Sequence, residues 1–453
     1  MVMVVDLVPG LKRLLSGLML KMAVQLMVQR MVIAFILHRR RMSCLQSAGA
    51  VRSDVRHRAQ IGRMLARPSF RRLDLTGEVR RQLLALEAQT GLFLFVIDAT
   101  LSSQAGDTTE NTFSTGNRRR RPCRGRRYSQ QKHAKKKCHS FTMGLLITPS
   151  GIRIPFAKPY LTREYCRTKN LVHQTTAQAA AAMIRELPLP SEARVMVLGD
   201  AAYDAADVQV ACNERGYSWI VPCNPERVLA GPKPRPKVRS LLQDWSKWSL
   251  RTVQVAPGQG AYVAYRRPSL HRAGPKAKPR TYYVHAERRV VQSVGDVQLV
   301  FSTTTKNLVK ATPNDVKILM TNDHRLRPRE VAELYALRWQ IELFFKELKS
   351  TLGFHQYRFQ KFECVQSWCE LTLLTFLYLE HYRARQLARR DLDEKARRWW
   401  TRQRAYGLCG AVQQAAEQGE LRYLAQRLET PGGIRKLKRL LQRSCPEEYR
   451  AAL

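Results

Sequence analysis

Two short runs constrain this chain more than any other feature: "GLFLFVID", residues 91 to 98, and "ARVMVLGD", residues 193 to 200. Each is a compact apolar series that stops at an aspartate. Neither is long enough for an ordinary helix, and neither shows the alternation of a half-exposed strand, so both predict buried strands. Around them lie complementary signals. "FTMGLLI" and "IRIPFA" flank the turn residues "TPSG" and predict a hairpin. "TTAQAAAAMIREL" predicts an Ala-rich helix stopped by Pro188, and "DAADVQVACNERG" a helix closed by Gly216. "YSWIVP" adds a further strand. Helices interleaved with buried strands make the fold class α/β.

The texture changes between residue 222 and about residue 312. Loops rich in Pro, Gly, Lys and Arg there separate "RTVQVA", "AYVAYRR", "RTYYVHA" and "VQLVFSTTT", which predicts a β-rich insertion. "VKILMTND" predicts one more strand before Pro328. Residues 1–88 read as a helical N-terminal region, residues 89–353 as a central α/β domain carrying the insertion, and residues 354–453 as a helical C-terminal region. "WCELTLLTFLYLEHY" is apolar nearly all round and predicts a buried helix, whereas the tail "GGIRKLKRLLQR" is basic and amphipathic. The Met-rich N-terminal helices suit core packing, and with the basic stretches His38 to Arg41 and "VRHRAQIGRML" they suit DNA docking equally well. The C-terminal region is a candidate for dimerisation or DNA contact.

Charge narrows the partner. The chain holds 78 Lys plus Arg against 36 Asp plus Glu, a formal charge of +42, and such self-repulsion calls for a polyanion. Nucleic acid is the natural one. A membrane is disfavoured, because "LSGLMLKMAVQLMVQRMVIAFIL" is interrupted by Lys21, Gln25, Gln29 and Arg30. Asp6 and Pro9 argue against a signal peptide. Ten cysteines without a CxxC pair indicate a reducing cytoplasm. Cys123, His133, Cys138 and His139 form a loose cluster whose spacing matches no usual zinc pattern. They sit in "NRRRRPCRGRRYSQQKHAKKKCH", where Arg118, Arg119, Arg120 and Arg121 belong either to a solvated charge run or to a loop that tracks phosphates.

Three carboxylates stand out by position. Asp98 and Asp200 each terminate a buried strand, where ligand groups of α/β sheets often gather. Glu342 lies in "YALRWQIELFFKELK", residues 335 to 349. There Leu337, Ile341, Phe344 and Leu348 form the apolar stripe, and Tyr335, Arg338, Glu342, Lys346 and Lys349 share an arc of about 80°. Alone, that arc is ordinary surface pairing worth about 0.2 to 0.5 kcal/mol per pair. Each aspartate alone is an ordinary cap or turn residue. Together they can hold two divalent ions, Mg²⁺ with Mn²⁺ as the alternative, while the neighbouring cations hold a phosphodiester backbone.

The spacing Tyr335, Arg338, Glu342, Lys349 within "LYALRWQIELFFKELKSTLG", preceded by "FVIDAT" and "VLGDAAYD", resembles the YREK signature and two aspartate motifs of the DDE transposases of the bacterial insertion sequence four family. The resemblance covers roughly residues 90 to 385. It implies a ribonuclease-H-like catalytic core with a β-rich insertion before the third acid. It implies Asp98, Asp200 and Glu342 as the catalytic, metal-binding acids, with Tyr335, Arg338 and Lys349 contacting DNA near the cleaved end. Asp204 and Asp207 compete for the second position, and Asp200 is preferred because it directly follows the strand. The implied reaction is cut-and-paste: hydrolysis at the transposon end frees a 3′-hydroxyl, which attacks target DNA. The implied partners are double-stranded terminal inverted repeats and target DNA, bound by a homodimer on the nucleoid of a bacterial cytoplasm. In some relatives a flipped base stacks on a tryptophan, a role for which Trp339 is placed, although it packs inward equally well. Two other readings stay open, a metal-dependent nuclease without strand transfer and a catalytically inactive DNA-binding derivative.

Overall fold

A computed structural model describes residues 7–18, 20–37, 58–71, 73–87, 90–104, 108–115, 136–248, 250–255, 280–304, 315–429 and 432. The stretch His38 to Arg41, the run Arg118 to Arg121 with Cys123 and His133, the segment "AYVAYRR" and the tail beyond residue 432 lie outside the described residues.

Among the described residues ten strands join in one mixed sheet: β1 Leu92–Gln104, β2 Phe113–Thr115, β3 Lys136–Ile147, β4 Arg153–Pro159, β5 Arg194–Gly199, β6 Ser218–Pro222, β7 Arg251–Val255, β8 Arg280–Val291, β9 Gly295–Thr303 and β10 Lys317–Thr321. Their order is β2-β3-β1-β5-β6-β10-β9-β8-β7, with β4 also on β3. β1 is antiparallel to β3 and parallel to β5, and β5 is parallel to β6. The predicted hairpin is β3–β4, turned by Thr148 to Gly151, where Gly151 has φ +81° and a side chain would be strained. The strands of the β-rich segment continue this same sheet. β10 pairs antiparallel with β6, and β9, β8 and β7 follow outward, so the edge of β6 is covered.

Helices cover the sheet and extend beyond it. They are α1 Leu7–Ser16, α2 Met22–Leu37, α3 Arg58–Leu65, α4 Gly77–Ala85, α5 Arg163–Lys169, α6 Thr176–Arg185, α7 Ala206–Glu214, α8 Pro328–Ala336, α9 Gln340–Lys346, α10 Phe362–Leu387, α11 Glu394–Arg402 and α12 Ala405–Glu429. The Ala-rich α6 begins with a capping box, in which Thr175 and Gln178 each satisfy the other's backbone amide. As its composition predicts, α10 is buried on nearly every face. It packs on β4 and on α2, where Phe35 meets Trp368 edge to face at 5.0 Å. The Met-rich α2 thus contributes Met31, Val32, Phe35 and Ile36 to the core, and α12 joins it through Gln413, whose side chain donates to the Ile36 carbonyl at 3.0 Å. Among the described residues no helix is long and apolar enough to cross a membrane. The mixed α/β architecture is compatible with the ribonuclease-H-like core that the resemblance implies.

Two polar clusters form against α10, the first of them fully buried. Arg153 of β4 pairs with Glu347 at 2.6 Å and with Glu380 at 2.9 Å, and Arg383 closes on Glu380 from the next helical turn. The second cluster centres on Glu370, which accepts from Thr76 at 3.4 Å. Burial pushes its carboxyl up to about 7, with Arg80 opposing and Asp74 assisting. A folded-state value above the ordinary 4.5 means that the folded protein binds the extra proton between those two pH values. The associated stability is therefore fully present below the unfolded value and is lost as pH rises through about 7. Glu370→Gln should flatten that decline, narrowing the gap between melting temperatures measured at about pH 5 and pH 8. An unchanged gap would place the titration elsewhere.

Candidate active site

The strand "GLFLFVID" does not stop at its aspartate. Although expected to end at Asp98, β1 continues to Gln104. The reason is that its two neighbours end at different points. Parallel pairing with β5 finishes at Ile97 opposite Gly199, whereas antiparallel pairing with β3 persists to Gln104, so one neighbour still satisfies the outer backbone. Burial follows suit: Phe95, Val96 and Ile97 are buried in succession, and beyond Asp98 buried residues alternate with exposed ones. Asp98 therefore sits where β1 parts from β5. Asp200 directly follows β5, one residue beyond Gly199, and its carboxylate accepts from the Ala202 amide at 2.9 Å to cap the turn Ala201–Tyr203.

Glu342 arrives from a segment less regular than its periodicity predicts. After α8, Leu337–Trp339 form a 3₁₀ turn, α9 follows, and Glu347–Thr351 widen into a π turn. The apolar stripe survives these changes, with Ile341, Phe344 and Leu348 buried and Leu337 half-buried. On the other side Arg338 bridges two acids. Its Nη1 donates to Asp98 Oδ2 at 3.0 Å and its Nη2 to Glu342 Oε1 at 2.9 Å.

The electrostatics tie in the third acid. Burial raises the Asp98 pKa most, and the negative charge of Asp200 raises it next. The Ala99 amide, donating at 2.7 Å, and Arg338 oppose this, while Glu342 adds to it. Asp98 is thus a carboxyl whose charge is disfavoured by two other carboxylates and tolerated through an arginine. The donor set is all carboxylate oxygen, which suits a hard divalent cation. Among the described residues no three acidic, His or Cys side chains stand close enough to grip one metal ion as they are placed, and Arg338 takes the bridging position.

The remaining signature residues differ in exposure. Tyr335 is buried, its ring lies 4.4 Å below the Lys317 ammonium, and burial pushes its hydroxyl up to about 12. Lys349 is half-buried and donates to the Leu101 carbonyl at 2.9 Å, and burial lowers its pKa. Lys346 is exposed, and Trp339 is half-buried. Lys317 gave no signal in the sequence, because it opens a strand outside the signature and meets Tyr335 only in the folded protein.

Competing acids have other engagements. The side chain of Asp204 is 1% exposed, is paired with Arg227 at 2.7 Å, and accepts from the Asn224 amide at 2.8 Å. Asp207 lies in the first turn of α7. Glu347, five residues after Glu342, faces inward onto Arg153. Of the loose Cys and His cluster, His139 is buried with both ring nitrogens engaged, Nδ1 with the Tyr357 hydroxyl at 3.0 Å and Nε2 with the Glu110 carbonyl at 2.9 Å. Cys138 is also buried.

No curated protein matches the chain. The family model described as the transposase DDE domain matches residues 94–378, well over half of the chain, a span that includes Asp98, Asp200 and Glu342. With this match added to the arrangement of its sheet and acids, the chain belongs to the DDE transposase family.

Proposed function

We propose that the protein is a cut-and-paste DNA transposase of the insertion sequence four type, with Asp98, Asp200 and Glu342 as its catalytic acids. One observation carries the reading. Asp98 and Glu342, far apart along the chain, reach the same guanidinium, and Asp98 also feels the charge of Asp200. Transposases of this family generally use divalent metal ions. Held by these three carboxylates, two Mg²⁺ or Mn²⁺ ions would activate the attacking oxygen and stabilise charge on the leaving one. The chain's own residues do the rest. The acids supply the negative charge that gathers the ions, while Tyr335, Arg338, Lys346 and Lys349 hold double-stranded DNA so that its scissile phosphate lies in line. Arg118 to Arg121 add further cations for the phosphates, and two copies bring paired inverted repeats together.

The experiment combines the protein, Mg²⁺, a terminal-repeat DNA and a supercoiled target plasmid. Joined products support transposition. Cuts without joining would replace it with a nuclease, and retarded but intact DNA with an inactive binder. The basic run has its own test: neutralising Arg118 to Arg121 should weaken binding to DNA of any sequence and reduce the slope of log affinity against log salt by about 0.9 for each phosphate that the run had neutralised. A slope equal to that of the unaltered protein would remove the run from the interface.

A further inference from the structure

Arg338 makes a pairing that a dedicated DNA-binding arginine would not need. Among the described residues, the ion pairs of both Asp98 and Glu342 run to Arg338, one to each prong of its guanidinium. Other nearby cations are turned elsewhere: Lys349 to the Leu101 carbonyl, Lys317 onto the Tyr335 ring, and Lys346 into solvent. The side chains of Arg338 and Asp98 are each 18% exposed, and that of Glu342 is 33% exposed. The three charges are thus partly desolvated, and removing the cation leaves a costly repulsion. A metal ion shared by Asp98 and Glu342 would have to lie between their carboxylates, and the guanidinium fills that position. Magnesium sits about 2.0 to 2.1 Å from its ligands, so the two acids can close on an ion only once the guanidinium has moved aside. Arg338 also stands in the 3₁₀ turn between α8 and α9, a local break in helical geometry of the kind that often marks a hinge.

We infer that Arg338 is an exchangeable counter-ion, which holds Asp98 and Glu342 together before metal arrives and leaves them for a DNA phosphate as metal binds. The inference rests on the reading of Asp98 and Glu342 as metal ligands. Its consequence is coupling. Metal and DNA each bind more tightly in the presence of the other, because the arginine that blocks the acids is the one that the phosphate recruits, and such coupling is reciprocal. Guanidinium suits both partners, since it forms forked bonds to carboxylate and to phosphate alike. Arg338 is in this sense a positioning residue for the acids and a gate on their loading.

The test measures Mn²⁺ binding by titration calorimetry, and melting temperature with and without Mn²⁺, on the full chain. It compares the unaltered protein, Arg338→Gln, Arg338→Lys and the double variant Arg338→Gln with Glu342→Gln. Without DNA, Arg338→Gln should melt lower than the unaltered protein, recover with Mn²⁺, and bind the ion about tenfold more tightly or better. A short terminal-repeat duplex should tighten Mn²⁺ binding by the unaltered protein to a similar degree and have little effect on Arg338→Gln. Arg338→Lys, which keeps the charge but loses the fork, should fall between the two and serves as the readout should the glutamine variant fail to fold. Mn²⁺ binding by the glutamine variant equal to or weaker than that of the unaltered protein, with no effect of DNA, would overturn the exchange. Equal binding by the single and double variants, or none by any protein, would instead overturn Glu342 as a ligand and the inference with it.

Discussion

Asp98→Asn, Asp200→Asn and Glu342→Gln are each expected to reduce cleavage of terminal-repeat DNA by about a thousandfold or more, with DNA binding changed by no more than a few-fold. Each substitution keeps the size of the side chain and removes one negative charge from the set proposed to balance divalent cations. Metal assistance contributes several kcal/mol to transition-state stabilisation, and each 1.36 kcal/mol is about a factor of ten in rate. Binding is governed by the cations and by the counter-ions they displace, so it should persist. The asparagine at position 98 also retains an acceptor for the Ala99 amide, which protects the local fold. Single-turnover cleavage and a gel-shift titration on the same preparations separate the two quantities. Full cleavage by any one variant removes that acid from the site, and loss of binding in parallel with cleavage would indicate a damaged interface instead.

Arg153→Met is expected to have the largest effect on stability, about 3 to 5 kcal/mol, which is the range found when one partner of a buried ion cluster is removed. The side chain of Arg153 is 4% exposed, and those of Glu347 and Glu380 are 6% and 2% exposed. Methionine fills much of the volume but leaves Glu347 without its arginine and Glu380 with Arg383 alone. Because whole domains are stable by only about 5 to 15 kcal/mol, the variant should unfold at markedly lower urea. The cluster also predicts a sign for acid. Burial opposes the Glu380 charge, yet Arg153 and Arg383 hold its pKa at about 2, below the ordinary 4.5. Its contribution is therefore present above the unfolded value and is lost as pH falls from about 4.5 towards 2, a loss that Arg153→Met should shift to higher pH. A cost under about 1 kcal/mol in urea would mean that the carboxylates reach water once the arginine is gone.

The signature helix shows how far sequence reading reaches. Its periodicity identified Ile341, Phe344 and Leu348 as the buried stripe, and they are buried. The same periodicity put Tyr335 on the outer arc, whereas the structure buries it beneath Lys317, a residue delivered by a neighbouring strand. Glu342 and Glu347 differ little in their local surroundings, yet one reaches Arg338 and the other is enclosed with Arg153. The pairing of Glu342 is with a residue one helical turn away, but nothing near Glu347 in the chain announces its fate, because its partners come from β4 and the start of α12.

The sequence by itself determined the properties that depend on near neighbours: the buried strands leading to Asp98 and Asp200, the apolar α10, the charge that calls for a polyanion, and the spacing of the signature. Those follow from side-chain period and composition, which act over a turn or a few residues. Only the tertiary structure decided that β1 runs on past Asp98, that Arg338 rather than a lysine bridges the acids, and that Asp204 and Glu347 are taken up by internal arginines. Each of these depends on which distant backbone lies alongside, and that is set by closing the sheet and burying its faces, a condition on the whole chain that no local pattern encodes.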